Sequence, residues 1–94
     1  MIKSFRSRAL ERLWWRGETR RIDPRHVKKV CRRLGELEAA TEPGDMNLPG
    51  YRLHSLTGDQ AGRYAIRVDE NWRLTFAWDD AGPHAIDVDY EDDH

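Results

Sequence analysis

Two histidines, an arginine and an aspartate have the side-chain types needed for proton transfer at a phosphate group. His54 and Arg73 lie in the second half of the chain, and Asp92 and His94 lie at its end. Histidine exchanges protons near neutral pH, and arginine can hold two phosphate oxygens while stabilising charge that develops in a transition state. Cleavage of RNA by its own 2′-hydroxyl needs a base, an acid and a cation over the phosphorus. These four residues therefore suit phosphoryl chemistry that requires neither a metal nor a cofactor.

Each of these residues also has a purely structural interpretation. His54 is equally compatible with an ordinary place on a strand face, and His26 is expected to be structural or exposed to solvent. Arg73 stands between apolar neighbours, and an arginine there must keep its head group solvated or paired. A salt bridge from Arg73 to Asp87 or Asp89 across a sheet is the alternative to a phosphate contact.

The element that must position these residues is a predicted hairpin over residues 63–78, with a short turn at residues 69–71. Both halves alternate between apolar and polar residues, which is typical of strands with one buried face. The apolar positions are Tyr64, Ile66, Val68, Trp72, Leu74, Phe76 and Trp78. The opposite face carries Arg63, Arg67 and Arg73, and we expect Arg63 and Arg67 to contact an anionic substrate.

Two helices are predicted before this hairpin. Ser7 is a suitable N-cap for a helix that ends at Gly17. Asp23 followed by Pro24 predicts the start of a second and longer helix, which should continue to about Ala40. Trp14 and Trp15 cannot both be buried on one helix face, so Trp15 is a candidate for a partner surface.

Short strands are predicted on either side of these elements, at residues 2–5, 51–56 and 84–90. The order is strand, two helices and four strands, which predicts an α+β fold with a helical hairpin covering a mostly antiparallel sheet. We expect residues 1–94 to form one domain. Whether the first strand pairs at an edge or lies parallel to a later strand stays open.

The charge of the chain is unevenly distributed, although its net charge is only −1. Residues 1–33 contain twelve Lys and Arg against three acids, giving +9, whereas residues 34–94 contain four Arg against fourteen acids, giving −10. A basic helical block suits a polyanion or an acidic partner, although a solvated helix face is the alternative. Cys31 is the single cysteine, no apolar run approaches the ~20 residues of a membrane span, and no leader sequence is evident. We therefore expect a cytoplasmic location.

Several segments along the whole chain resemble the HigB toxins of type II toxin–antitoxin modules, which belong to the RelE superfamily. These segments are Met1-Ile2-Lys3-Ser4-Phe5, Ala39-Ala40-Thr41-Glu42, Tyr51-Arg52-Leu53-His54 with Leu56, Gly58-Asp59 and Gly62, Asn71-Trp72-Arg73-Leu74-Thr75-Phe76, and Asp89-Tyr90-Glu91-Asp92 with His94. The resemblance implies a microbial-ribonuclease-like fold and ribosome-dependent cleavage of mRNA in the A site. It also implies a HigA-like helix-turn-helix antitoxin as partner. The toxin is expected to contact operator DNA only through this antitoxin. No contact with membranes is expected.

The resemblance assigns site residues by position. His54, Arg73, Asp92 and His94 match family residues that are implicated in RNA binding or cleavage. Two substrate-binding positions differ, because this chain has Thr57 where many relatives have lysine, and Asp93 where they have tyrosine. Loss of a cation and of a stacking ring near a phosphate predicts attenuated RNA binding.

Two other functions are also compatible with the sequence. One is a ParE-like toxin that blocks DNA gyrase by binding, and the other is a degenerate toxin retained as an antitoxin-binding co-repressor. His54 and His94 favour the nuclease, because a gyrase-binding surface has no need of proton-transfer groups. Thr57 and Asp93 favour the degenerate toxin.

Overall fold

The fold consists of two helices packed on one face of a four-stranded antiparallel sheet, in a computed structural model that describes residues 1–92. Helices α1 (Arg8–Arg16) and α2 (Val27–Ala39) precede the sheet strands. The strands are β1 (His54–Ser55), β2 (Arg63–Arg67), β3 (Trp72–Asp79) and β4 (His84–Asp92), in that spatial order. This arrangement confirms the predicted α+β class. Neither helix is long and apolar enough to span a bilayer, a finding that covers only the described residues.

Helix α1 begins and ends as its sequence predicts. The Ser7 hydroxyl accepts a hydrogen bond from the Leu10 amide at 3.2 Å, which satisfies one of the free N–H groups of the first turn. Gly17 ends the helix with a φ of +68°, a left-handed conformation that glycine adopts without a Cβ clash.

Helix α2 is the longest helix, but its predicted start at Pro24 is wrong by three residues. The Asp23 carboxylate accepts a hydrogen bond from the Arg25 amide, and the Asp23 carbonyl oxygen accepts one from the His26 amide at 2.8 Å. Asp23 and Pro24 therefore form a separate turn, and the helix proper begins at Val27. The side chain of His26 is anchored in the interior by Tyr90 and Asp69, which fixes the chain at this point.

The sheet has one apolar face and one polar face, as the alternating pattern predicts. Helix residues Leu10, Val30 and Leu34 are fully buried with the sheet residues Leu74 and Phe76. The strand expected at residues 51–56 is reduced to His54–Ser55, which pairs with Tyr64 and Ala65 of β2. The segment before it cannot extend regularly, since Arg52 has a φ of +50°.

The N-terminal segment lies beside β4 and settles the question of where the first strand pairs. Ile2 and Phe5 form isolated parallel bridges with Ala85 and Val88, respectively. The Lys3 amide donates to the Ala85 carbonyl oxygen at 2.8 Å. The first segment therefore covers the outer edge of β4, parallel to it.

Candidate active site

The polar face of the sheet contains an open cleft of about 240 Å³, near the turn between β2 and β3. It is lined by Arg52, His54, Arg67, Asp69, Glu70, Trp72 and Arg73. Arg67 and Arg73 occupy opposing positions on the β2–β3 ladder, and side chains at opposing positions project from the same face. The fold thus brings three arginines and one histidine to a single depression, together with the carboxylates of Asp69 and Glu70. The arginines outnumber the carboxylates, which suits the depression to an anionic ligand.

The ring orientation of His54 is set by a neighbouring carbonyl group. His54 Nδ1 lies 2.8 Å from the carbonyl oxygen of Arg52. A carbonyl oxygen can only accept a hydrogen bond, so Nδ1 must carry the hydrogen. In the neutral ring, Nε2 then holds the free lone pair. The side chain is exposed, and Nε2 can therefore accept a proton from a group bound in the cleft.

Arg73 faces a carboxylate across the sheet, but this carboxylate is neither Asp87 nor Asp89. Glu91 is the register partner of Arg73 on β4, and Arg73 Nη2 lies 3.6 Å from Glu91 Oε1. The alternation along β4 is interrupted near Asp87, which has a φ of +51°, and the pairing of β3 with β4 shifts between Thr75 and Ala77. The sequence could not predict this shift.

The Glu91 carboxylate is itself held by neutral donors. The Thr75 hydroxyl donates to Oε2 at 2.6 Å, and the Gln60 side-chain amide donates to Oε1 at 3.2 Å. Partial burial raises the pKa of Glu91, but these hydrogen bonds and the positive charge of Arg73 outweigh burial, so that the pKa lies below its usual value. Glu91 is therefore a fixed anion beneath the Arg73 guanidinium.

Arg63 is buried, although a residue that contacts the substrate was expected to be exposed. Only 6% of its surface is exposed. Its Nη2 donates to the Thr75 hydroxyl and to the Asp87 carbonyl oxygen, each at 2.8 Å. The expectation that Arg63 lies on a free face is wrong, because the bulged β4 strand covers its guanidinium. Its contacts with Thr75 and Asp87 favour a structural role for Arg63, which holds β2, β3 and β4 together.

A second polar group fixes the wall of the cleft at the β2–β3 turn. Asp69 accepts hydrogen bonds from the backbone amides of Asn71 and Trp72, each at 2.9 Å. The hydrogen bond from the Asn71 amide, followed by those from His26 and the Trp72 amide, outweighs partial burial and lowers the pKa of Asp69 to about 2. The other carboxylate oxygen of Asp69 contacts His26, and the opposite ring nitrogen of His26 lies 2.6 Å from the Tyr90 hydroxyl. His26 is thus structural, as expected, and joins the turn to the end of β4.

Comparison with known proteins assigns the chain to a family. Residues 3–94 match the family model described as a RelE-like toxin of type II toxin–antitoxin system HigB. The chain belongs to the HigB-like toxin family. It is 37% identical to "Endoribonuclease HigB" of Proteus vulgaris over 94 residues, covering the whole of both proteins. It is also 32% identical to "Toxin HigB-1" of Vibrio cholerae serotype O1 over 82 residues, covering 85% of this chain and 86% of the relative. The resemblance drawn from the sequence is confirmed.

Within this HigB-like fold, the predicted site residues other than the buried Arg63 lie in different places. His54, Arg67 and Arg73 line one cleft. Asp92 is exposed at the end of β4 and pairs with Trp72, which also lines the cleft. Thr57 is exposed on the loop that follows β1. The remaining two predicted residues, Asp93 and His94, lie outside the described residues.

Arg52, Glu91 and Asp69 are among the residues of the site that were not found from the sequence. Arg52 lies two positions before His54, and alternation along a strand would have placed both on one side. Glu91 becomes apparent only once the β3–β4 register is known. Asp69 stands in a predicted turn, and its contact with His26 follows only from the three-dimensional structure.

Proposed function

We propose that this HigB-like toxin is a ribosome-dependent endoribonuclease that cuts mRNA in the ribosomal A site, in the cytoplasm. In this reaction the 2′-hydroxyl of the RNA attacks the adjacent phosphorus and the bond to the 5′-oxygen breaks. The products are a 2′,3′-cyclic phosphate and a 5′-hydroxyl end. The chain itself supplies proton transfer and charge stabilisation, with no metal as catalyst.

Each role is assigned from the geometry of the cleft. His54 Nε2 is the base that takes the 2′-hydroxyl proton, since Nδ1 is committed to the Arg52 carbonyl oxygen. Arg73 stabilises the charge that builds on the phosphate oxygens, and Arg67 binds the phosphate from the opposing strand. The acid for the leaving oxygen comes from the C-terminal end, where Asp92 and His94 are two residues apart in sequence.

The observation that carries this proposal is the shared cleft of His54, Arg67 and Arg73. A base whose lone pair is free lies in the same depression as two arginines held at opposing strand positions. A surface that only bound another protein would need the charges but not the oriented imidazole. The family relationship to a protein named as an endoribonuclease supports the same reaction.

Primer extension on reporter messages after induced expression tests this proposal. We expect new 5′ ends within translated codons, which disappear when translation of the reporter is blocked by removing its start codon. His54→Gln, which keeps a polar side chain but cannot act as a base, should reduce cleavage by roughly 10²–10⁴-fold. Equal cleavage of translated and untranslated messages would contradict ribosome dependence.

We also propose that a HigA-like antitoxin binds the face of α1 that carries Trp15. This side chain is 64% exposed, while Trp14 next to it packs against the core. Arg8, Arg12 and Arg16 lie at intervals of four residues on α1 and line a depression together with Glu11 and Trp15. An acidic partner surface with an apolar pocket for the indole would complement this face, and charge attraction should increase the association rate.

Co-expression with the adjacent open reading frame, followed by size-exclusion chromatography, tests the antitoxin proposal. Trp15→Ser should weaken the complex and leave cleavage intact, because Trp15 does not line the cleft. A complex of unchanged affinity would show that the antitoxin binds elsewhere.

A further inference from the structure

Helix α2 presents a second basic surface, separate from the face of α1 that carries Trp15. Lys28, Lys29 and Arg32 are all exposed, and their spacing of three and four residues places them on one helix face. They line a depression of about 330 Å³ together with Arg33, Pro49 and Tyr51. Its lining contains four cations and no carboxylate within the described residues, so this depression attracts anions.

The α2 depression is joined to the catalytic cleft by direct contacts. Arg33 Nε donates to the Arg67 carbonyl oxygen at 2.8 Å, and the Arg67 amide donates to the Tyr51 carbonyl oxygen at 2.7 Å. Arg67 lines the cleft, as does Arg52, which directly follows Tyr51 in the chain. The two depressions therefore lie on either side of the Tyr51–Arg52 segment, which forms the boundary between them.

Several side-chain contacts hold the shared boundary between the two depressions in place. The Arg33 guanidinium lies 4.2 Å from the centre of the Tyr51 ring. Its Nη1 also donates to the Lys29 carbonyl oxygen at 3.1 Å, and the Tyr51 hydroxyl donates to the Glu36 carboxylate. Arg33 and Tyr51 are both buried and serve as scaffold, so the exposed cations on α2 are the groups available to a ligand.

We infer that the α2 surface, defined by Lys28, Lys29 and Arg32, binds the phosphodiester backbone of the RNA strand that passes through the cleft. This inference rests on the proposed function, because RNA is the polyanion on which the cleft is proposed to act. Cations that contact phosphates give affinity without reading sequence.

The test compares two unstructured, uncleavable 2′-O-methyl RNA oligomers of roughly 4 and 12 nucleotides, a range covered by small single-strand-binding modules. Fluorescence anisotropy gives the affinity of each oligomer over a series of salt concentrations. The α2 variant carries Lys28→Gln, Lys29→Gln and Arg32→Gln. Wild type should bind the longer oligomer more tightly, and the α2 variant should lose this advantage while its affinity for the shorter oligomer is unchanged. The slope of log affinity against log salt should become shallower by about 2, since each phosphate contact on a single strand contributes about 0.7.

A matched control removes the same charge elsewhere on the surface. Lys3→Gln, Arg20→Gln and Arg21→Gln affect three exposed side chains on the N-terminal segment and the α1–α2 loop. This control variant should still bind the longer oligomer more tightly than the shorter one. That result would show that the affinity for the longer oligomer depends on the position of the cations and not on the total charge. If the control variant lost its preference for the longer oligomer as fully as the α2 variant does, the assignment of RNA binding to α2 would be overturned.

Photo-crosslinking of unmodified wild-type protein gives a second measurement that does not depend on variant folding. A 12-nucleotide RNA with 4-thiouridine at one end should form adducts in the peptide that contains α2. Three results would overturn the inference: no adduct in that peptide, no length advantage in wild type, or an α2 variant that binds RNA normally but loses its antitoxin complex. Failure of the proposed function is distinguishable, since it would appear as a wild-type protein that binds these oligomers but leaves translated messages uncut.

Discussion

Arg67 and Arg73 lie directly opposite each other on the β2–β3 ladder, with both side chains on the polar face of the sheet. Like charges at opposing positions destabilise a pair of strands. Glu91 on the next strand compensates for part of this repulsion, because its carboxylate lies 3.6 Å from Arg73. We propose that a phosphate bound between the two guanidinium groups offsets the remaining repulsion, so that an arrangement that costs stability in the free protein favours an anionic substrate.

Removing the Arg73 guanidinium should affect cleavage much more than folding. Arg73→Ala should lower the rate of message cleavage by roughly 10²–10³-fold, by analogy with the removal of one oxyanion donor, with little change in the thermal midpoint. Cleavage on purified translating ribosomes and thermal unfolding followed by circular dichroism measure the two effects. Arg16→Ala, on an exposed part of α1, is the matched control and should cut normally. An Arg73→Ala protein that unfolds would show that the pair with Glu91 is chiefly structural.

Glu91 should act on cleavage through Arg73. Glu91→Gln keeps an acceptor for the Thr75 hydroxyl but removes the charge that holds the guanidinium. We expect a slower cleavage step with little change in RNA affinity, and no further loss when the substitution is made in an Arg73→Ala background. Independent, additive losses in the double variant would mean that Glu91 contributes by another route.

Arg63 and Arg67 should separate stability from RNA binding. Arg63→Met leaves the Asp87 carbonyl oxygen and the Thr75 hydroxyl without their buried donor and should lower the free energy of unfolding by about 1–3 kcal/mol. Arg67→Met removes only the side chain, since its hydrogen bonds to Tyr51 and Arg33 use the backbone, and should weaken RNA binding instead. Urea denaturation and oligomer binding of both variants check this. Similar effects of the two substitutions on stability would contradict it.

The fold was largely predictable because its signals are local. Alternation in residues 63–78 and the capping residues Ser7 and Gly17 each act within a few positions, and the structure has the predicted hairpin and helix there. The burial of Arg63 depends instead on the irregular pairing near Asp87, which involves a strand 24 residues away in sequence. The start of α2 likewise depends on His26 meeting Asp69, 43 residues away. Contacts at such separations leave no periodic trace in the sequence.

Asp69 should make the protein more stable at neutral than at acid pH. Its folded pKa of about 2 lies below the ordinary value of 3.8, so its contribution is fully present above about pH 4 and is lost as the pH falls toward 2. Asp69→Asn should therefore destabilise the protein at pH 7, and its difference from wild type should shrink between pH 4 and pH 2. Urea denaturation over this pH range measures the difference. A difference that is independent of pH would mean that the Asp69 charge does not contribute.

Lysine at position 57 and tyrosine at position 93, the residues that the resemblance to HigB toxins implies there, should increase activity. Thr57→Lys returns a cation, and Asp93→Tyr removes a carboxylate beside His94 and returns a ring on which a base can stack. We expect faster cleavage on translating ribosomes for each variant and the largest gain for the double variant. The gain from Thr57→Lys should shrink as salt rises, because it acts through a screened phosphate contact. An equal or slower double variant would indicate that this chain holds RNA in another way, for which the α2 surface is the proposed route.

Cleavage of an mRNA with a single 2′-deoxynucleotide at the scissile position tests the proposed mechanism most directly. The substituted codon is placed in the A site of purified ribosomes, next to an otherwise identical all-ribose message. Attack by the 2′-hydroxyl predicts that wild-type protein cuts the all-ribose message to a 2′,3′-cyclic phosphate end and leaves the substituted bond intact. Cleavage of the 2′-deoxy position, or a 3′-hydroxyl product from the all-ribose message, would contradict attack by the 2′-hydroxyl with His54 as its base.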